Sequence, residues 1–230
     1  MTITLYELAG ADPDIRFSPV CWRSRLALAH KGLDFVGEPW RFTEKARLAF
    51  AGSERVPVLV DGDKVVVDSW QIARYLDDAY PDRPLLPEGE AGRGHVRFIN
   101  TWADATLHPA IARCVLLDIH DVLGPEDRAY FRASREKAFG RTLEAVVAAR
   151  DTAGVEALRT ALAPLRTLLR QQEWLGGGAP DYADYIVLGS LQWARCVSRF
   201  ELLGADDPVA AWHQRGLALF DGLLGQAKRA

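Results

Sequence analysis

In the first third of the chain, short β-rich runs alternate with stripes at helical spacing. Beyond it, the apolar positions keep helical spacing almost throughout. Ile3 to Leu8 reads as a first strand and passes into a polar loop, Ala9 to Phe17, that holds Asp12, Pro13 and Asp14. Ser18-Pro19 predicts a helix start, with serine as N-cap and proline at the first helical position. Trp22, Leu26 and Ala29 share one face of that helix, and Gly32, preceded by His30 and Lys31, predicts its end. Leu33 to Trp40 reads as a second strand and Thr43 to Ala51 as a weakly helical stretch. Val56 to Val60 is strongly β, Asp61-Gly62-Asp63 is a turn, and Lys64 to Val67 returns as a hairpin partner. Asp68-Ser69 caps a helix with Ile72, Tyr75, Leu76 and Ala79 on its face. The order β-α-β-α-β-β-α predicts a small mixed sheet flanked by helices.

After Tyr80 the texture changes. Pro81, Pro84 and Pro87, with Gly89 and Gly92, mark an extended connection. The chain therefore divides into an α/β domain over residues 1–80, a linker over 81–91 and an all-helical domain over 92–230. Val96, Ile99 and Ala103 open one long helix, in which Pro109 predicts a kink. A second is predicted from about Pro125 through Val147, and a third carries Leu158, Leu162, Leu165, Leu168 and Leu169 on one stripe. Asp181-Tyr182-Ala183-Asp184 predicts a capping-box start for a helix that buries Leu188, Leu191 and Val197. A last helix spans roughly Pro208 to Leu224.

Composition narrows the class. A length of 230 residues suits two compact domains, and 49% hydrophobic with 26% charged residues rules out a disordered chain. The net charge of −3 argues against nucleic acid as a partner. No apolar run approaches the roughly 18–20 residues that span a bilayer, and Met1 to Gly10 lacks the pattern of a secretory signal. A soluble cytoplasmic protein is expected. Cys21, Cys114 and Cys196 are too sparse for a disulfide framework, and neither they nor the histidines have metal-ligand spacing, so no metal is expected. Asp118-Ile119-His120-Asp121 reads as a polar helix end. Nucleotide, nucleophile-elbow and zincin motifs are absent, and Gly176-Gly177-Gly178 reads as an interhelical loop. Seven tryptophans suit either a large core or a pocket for an apolar ligand.

Three places remain where chemistry could sit. Ser18-Pro19-Val20-Cys21 lies at a helix N-terminus just after the first strand, where thioredoxin-like proteins carry C-x-x-C and where the helix dipole favours a thiolate. With serine in the first position, the hydroxyl is either a plain cap or a hydrogen-bond donor to a thiolate belonging to another molecule. Val56-Pro57 interrupts a strand pattern. It is an ordinary edge proline or, with a cis bond, a turn that presents the backbone of Val56 to a peptide-like ligand. Asp68-Ser69, at the next helix start, is an N-cap or a receptor for an ammonium and a carboxylate.

These elements, in this order, resemble the glutathione-binding domain of the soluble glutathione transferases, and the linker and helical second domain resemble theirs. Ile3-Thr4-Leu5-Tyr6, Ser18 to Arg23, Ser53 to Val58, Asp68-Ser69-Trp70 and Tyr80 to Pro84 are similar, more narrowly, to the bacterial glutathione-dependent β-etherases of lignin breakdown, relatives of the fungal etherase-like class. Trp174-Leu175-Gly176-Gly177 and Leu219 to Leu223 extend that likeness into the second domain. The resemblance implies a thioredoxin-like domain followed by an all-helical one, with glutathione as co-substrate and an apolar, aromatic electrophile bound against the helices. It implies Ser18 as the catalytic hydroxyl, Val56 and Pro57 against the cysteinyl backbone of glutathione, and Asp68 with Ser69 at its γ-glutamyl end. Arg55 or Lys45 is left to meet the glycine carboxylate or simply to be solvated. Trp22, Trp102, Ile111 and Val115 are candidates for the substrate pocket, with Trp22 equally readable as core. A homodimer is implied. The competing readings are a non-catalytic binder of glutathione or apolar ligands and a glutathione-dependent thiol reductase or peroxidase.

Overall fold

A computed structural model describes residues 2–230. Strand β1 (Ile3–Leu8) runs into helix α1 (Pro19–Lys31), which returns to β2 (Phe35–Trp40). A 3-10 segment (Lys45–Ala51) leads to the hairpin β3 (Val58–Asp61) and β4 (Lys64–Val67), followed by α2 (Ser69–Ala79). The sheet order is β2-β1-β3-β4, with β1 parallel to β2 and the other pairs antiparallel. This is a thioredoxin-like domain. Its centre is dry because β1 and β3 bury Ile3, Leu5, Val58 and Leu59, while α1 contributes Leu26 and Leu28. Serine and glycine bound α1 as the sequence predicts: Ser18 Oγ accepts from Cys21 N, and Gly32 adopts a left-handed φ of 68°.

The second domain is all helical, and three of its predicted helices are interrupted. The long helix becomes α3 (Gly89–Trp102), a π-helical turn (Ala103–Leu107) and α4 (His108–Asp121). Pro109, which has no N–H to donate, sits in the first turn of α4. The turn just before it widens, and His108 N donates to Ala103 O. The helix predicted from Pro125 to Val147 stops at Phe139 as α5 (Pro125–Phe139), because Gly140 takes a left-handed φ of 66°. Thr142 then caps the short α6 (Leu143–Val147). A second π turn, Arg150–Gly154, leads into the leucine stripe. That stripe is shared between α7 (Val155–Ala161) and α8 (Ala163–Leu168), with Pro164 opening the second piece. Helix α9 (Tyr182–Val197) starts with the predicted capping box. The buried Asp184 carboxylate accepts from the backbone of Leu175, Gly176 and Asp181 and from Trp212 Nε1. Helix α10 (Pro208–Gly222) closes the chain with non-helical residues at Leu219–Asp221.

The two domains pack directly against each other. Helix α9 packs on α1, and Gly189 permits the approach: a Cβ there would lie 2.6 Å from Pro19 O. Tyr182 Oη donates to Ser69 O at 2.7 Å, so α9 also holds the start of α2. Arg23, buried within α1, reaches Asn100 at 2.5 Å and Asp104 at 3.1 Å. Among the described residues, no helix is long and apolar enough to cross a membrane.

Candidate active site

The two domains enclose a cleft of about 680 Å³, lined on one side by Ser18, Pro19, Lys45, Glu54, Arg55 and Val56. Ser18 is 4% exposed, in the extended conformation of an N-cap (φ −75°, ψ 127°). Its oxygen accepts the Cys21 N–H at 3.3 Å, which leaves the hydroxyl proton available to an acceptor in the cleft. The sequence left cap and donor as alternatives; the geometry is compatible with both at once. Cys21, one turn along, is buried, and burial pushes its thiol up to about 12.

The Val56-Pro57 peptide is cis. Pro57 O accepts from Asp68 N at 3.3 Å, which ties the proline loop to the first residue of the α2 cap. Asp68 holds a left-handed φ of 78° and is exposed. One carboxylate oxygen, Oδ1, accepts from both Trp70 N (2.9 Å) and Gln71 N (3.2 Å), and Oδ2 is left toward solvent. Ser69 is buried at the same cap, its carbonyl taken by Tyr182. Asp68, Ser69 and Pro57 thus adjoin the cleft through the loop, whereas Ser18, Arg55, Val56 and Lys45 line it directly. Lys45 pairs with Glu54 at 2.9 Å.

The other wall is aromatic and comes largely from the helical domain. His108, Ala112, Leu116 and Ile119 present one face of α4; Tyr130, Phe131, Arg135 and Phe139 come from α5 and Trp193 from α9. Leu8, Phe17, Trp40 and Phe42 complete it from the first domain. The predicted wall residues do not lie here. Ile111 and Val115 are fully buried in the helical core, on the stripe of α4 adjoining the wall residues. Trp22 is buried with its Nε1 donating to Arg16 O at 2.8 Å, and it faces a separate small hollow beside Arg16 and Arg25. Trp102 packs half-buried against the core, away from the cleft. A shift of one residue turns a helix by about 100°, so choosing positions 111 and 115 over 108, 112 and 116 exchanges wall for core.

Sequence reading missed Asp104 and His108 at the π turn. Asp104 is held by Arg23 and by Asn100 Nδ2 at 2.9 Å. His108 places Nε2 2.9 Å from Ser190 Oγ and Nδ1 3.5 Å from Asp104, edge-on to Trp193. Burial, helped by the Arg23 charge, pushes His108 down to about 4. The one available signal was His108-Pro109 itself, since a proline inside a helical pattern marks a local rearrangement. Arg135 and Trp193 carried no local signal.

A family model described as glutathione S-transferase, C-terminal domain, matches residues 96–217, more than half of the chain, and the corresponding N-terminal domain matches residues 17–79. The crystal structure of the glutathione transferase GSTFuA3 from Phanerochaete chrysosporium superposes with a TM-score of 0.84 at 25% identity, over 96% of this chain and 97% of that one. A glutathione S-transferase of Ceriporiopsis subvermispora, solved in complex with glutathione, gives a TM-score of 0.80 at 25% identity over the whole of both chains. Among curated proteins, the glutathione S-transferase-like protein ustS of Aspergillus flavus is 28% identical over 168 residues, 64% of this chain and 59% of that protein. The chain spans about half the length of the first curated relatives it matches.

Proposed function

The chain belongs to the glutathione S-transferase family, and from that premise we propose that it binds glutathione in the interdomain cleft and transfers its sulfur to an aromatic electrophile, with aryl-ether cleavage as the specific reaction. The observation that carries this reading is the convergence of Ser18, Val56, Arg55 and Lys45 on one cleft whose remaining wall is aromatic.

The donor set fits glutathione end by end. The Ser18 hydroxyl and the positive end of the α1 dipole suit an anionic sulfur. The backbone of Val56, before the cis proline, suits the cysteinyl peptide group. Asp68 Oδ2 suits the γ-glutamyl ammonium, and Lys45 or Arg55 the glycine carboxylate. A glutathione complex among the near structural neighbours supports the same assignment.

A free thiol titrates near pH 8.5 and is mostly protonated at neutral pH. By donating to the sulfur, Ser18 favours the thiolate, and each unit of depression is worth about 1.4 kcal/mol. Glutathione supplies the nucleophile: a carbon–sulfur bond forms as a carbon–oxygen or carbon–halogen bond breaks, and the leaving phenolate takes a proton from solvent. In a β-aryl ether ketone, the carbon attacked is the one bearing the ether oxygen. The aromatic wall holds that carbon against the sulfur and excludes water from the thiolate. Likeness to the etherases is the support for the ether reaction; transferase chemistry as such rests on the cleft.

Product analysis by mass spectrometry, with protein, glutathione and a model β-aryl ether ketone, tests both levels. A glutathione thioether with free phenol is the predicted outcome. Conjugation of a chloro-nitroarene without ether cleavage would remove the etherase and leave the transferase. Absence of both products would remove the transferase.

A further inference from the structure

Arg135 stands in the aromatic wall with no anionic partner among the described residues. Its guanidinium carbon lies 5.0 Å from the ring centre of Phe131 and 5.9 Å from that of Phe42. Among the described residues its side chain makes one hydrogen bond, a long one of 3.5 Å from Nη1 to Ser134 Oγ. Nearby carboxylates are engaged elsewhere. Glu136 and Glu144 are held by Arg132 at 2.8 and 2.9 Å, Glu54 by Lys45 and Asp104 by Arg23. Burial, with the like charge of Arg55 adding to it, pushes the guanidinium down from its usual range, and no carboxylate among the described residues offsets it.

A partly desolvated guanidinium between aromatic rings recovers only part of its lost hydration from the ring faces. Its planar fork matches a carboxylate with two parallel hydrogen bonds, a geometry that a point charge such as lysine does not reproduce. The rings beside it match a flat aromatic body. Glutathione brings two carboxylates and one ammonium, for which the first domain already offers Arg55, Lys45 and the α2 cap. Arg135, on the helical domain and bedded in the electrophile wall, is a further cation.

We propose that the helical-domain wall is a subsite for aromatic electrophiles that carry their own carboxylate, with Arg135 as the anchor of that group and Phe42, Phe131 and Phe139 flanking the ring. The subsite deepens, and rests on, the reading of the cleft as a place where glutathione and an aromatic electrophile meet. It turns a general preference for apolar aromatics into one for aromatic acids, and it places the acid group at α5, within electrostatic reach of Arg55.

Calorimetric titration of the 230-residue chain with para-nitrobenzoate and with uncharged para-nitrobenzamide tests this, each with and without saturating S-methylglutathione. The wild type binds the benzoate about tenfold more tightly than the amide, the size of one charge-assisted hydrogen-bonded pair. That preference persists when S-methylglutathione is present, collapses to within about twofold in Arg135→Gln, and is partly retained in Arg135→Lys. Equal binding of the two compounds by the wild type would overturn the proposal. So would a preference that vanishes once S-methylglutathione is added, because the arginine would then serve the glycine carboxylate of glutathione. Should Arg135→Gln not fold, the salt dependence of the wild-type preference and the Arg135→Lys variant still decide. Neither arm requires turnover, so failure of the transferase reading is seen separately, as absence of conjugation with the benzoate preference intact.

Discussion

Ser18 shows how a single residue serves fold and chemistry together. Its oxygen closes the first turn of α1 and its proton remains for the cleft. Replacing it with alanine removes a charge-assisted hydrogen bond worth about 1.5–3 kcal/mol, so turnover falls roughly 10- to 100-fold. The dissociation constant for glutathione, held by several other groups, changes less. Steady-state kinetics beside calorimetry on Ser18→Ala separates the two, and equal turnover in the variant contradicts the role. The cysteines supply a second prediction. Burial pushes Cys21 and Cys196 up to about 12 and Cys114 to about 11. At pH 8 the thiolate fraction is then at most on the order of one part in a thousand. The native protein should leave a thiol reagent unconsumed at pH 8 and yield three thiols when denatured. Rapid labelling of Cys21 in the native state would revive a thiol-exchange reading. The caps at Ser18 and Asp68 and the irregular backbone at Pro57 were legible in the sequence because each is a local signal: a cap, a proline inside a strand pattern, a second cap. Arg135 and Trp193 were not, because an arginine on α5 becomes a cleft residue only through the packing of α4 and α5 against the first domain.

At the scale of elements, the hydrophobic pattern located β1, α1, β4, α2 and α9 closely, since each begins or ends on a residue whose backbone preference is strong. The long helices were less legible. Apolar spacing continues through Gly140 and Pro164, but a left-handed glycine and a missing N–H break the hydrogen-bond ladder there. The π turn before Pro109 matters most for the site, because it sets Asp104 and His108 toward the cleft and turns Ile111 and Val115 into core. The contact of α9 with α1 gives a prediction at this scale. Gly189→Ala would bring a Cβ within 2.6 Å of Pro19 O and 3.0 Å of Arg23 N, both backbone atoms. Helix α1 must shift to accommodate it, at a cost of about 1–3 kcal/mol. Thermal unfolding should therefore move to lower temperature. Turnover should fall more than the lost stability explains, because Ser18 moves with the first turn. A variant with native turnover would show that α9 does not position the hydroxyl.

Across the whole molecule, the division into an α/β and a helical domain was readable from the change of period after Tyr80, and the cleft between them was not. Periodicity tells which residues face some interior but not which interior. A homodimer, implied by the family likeness, is also proposed at this scale. Phe98 on α3 is 69% exposed and Phe50, in the 3-10 segment, 53% exposed, large apolar surface for a single chain to leave in water. Sedimentation equilibrium should give twice the chain mass of 25.5 kDa, with Phe98→Asp or Phe50→Asp shifting it toward one chain. A single-chain mass for the wild type would contradict the dimer. The site itself lies between the two domains of one chain, so a loss of dimer need not abolish glutathione binding.

Thiolate formation at the start of α1 is the step on which the proposed chemistry depends. Its most direct measurement is the ultraviolet absorbance of the thiolate as protein-bound glutathione is titrated with alkali, for the wild type and for Ser18→Ala. The wild-type midpoint is predicted at least about one unit below the 8.5 of a free thiol, with the variant returning toward it. A wild-type midpoint at or above the free value, or one that Ser18→Ala leaves in place, would contradict the central claim.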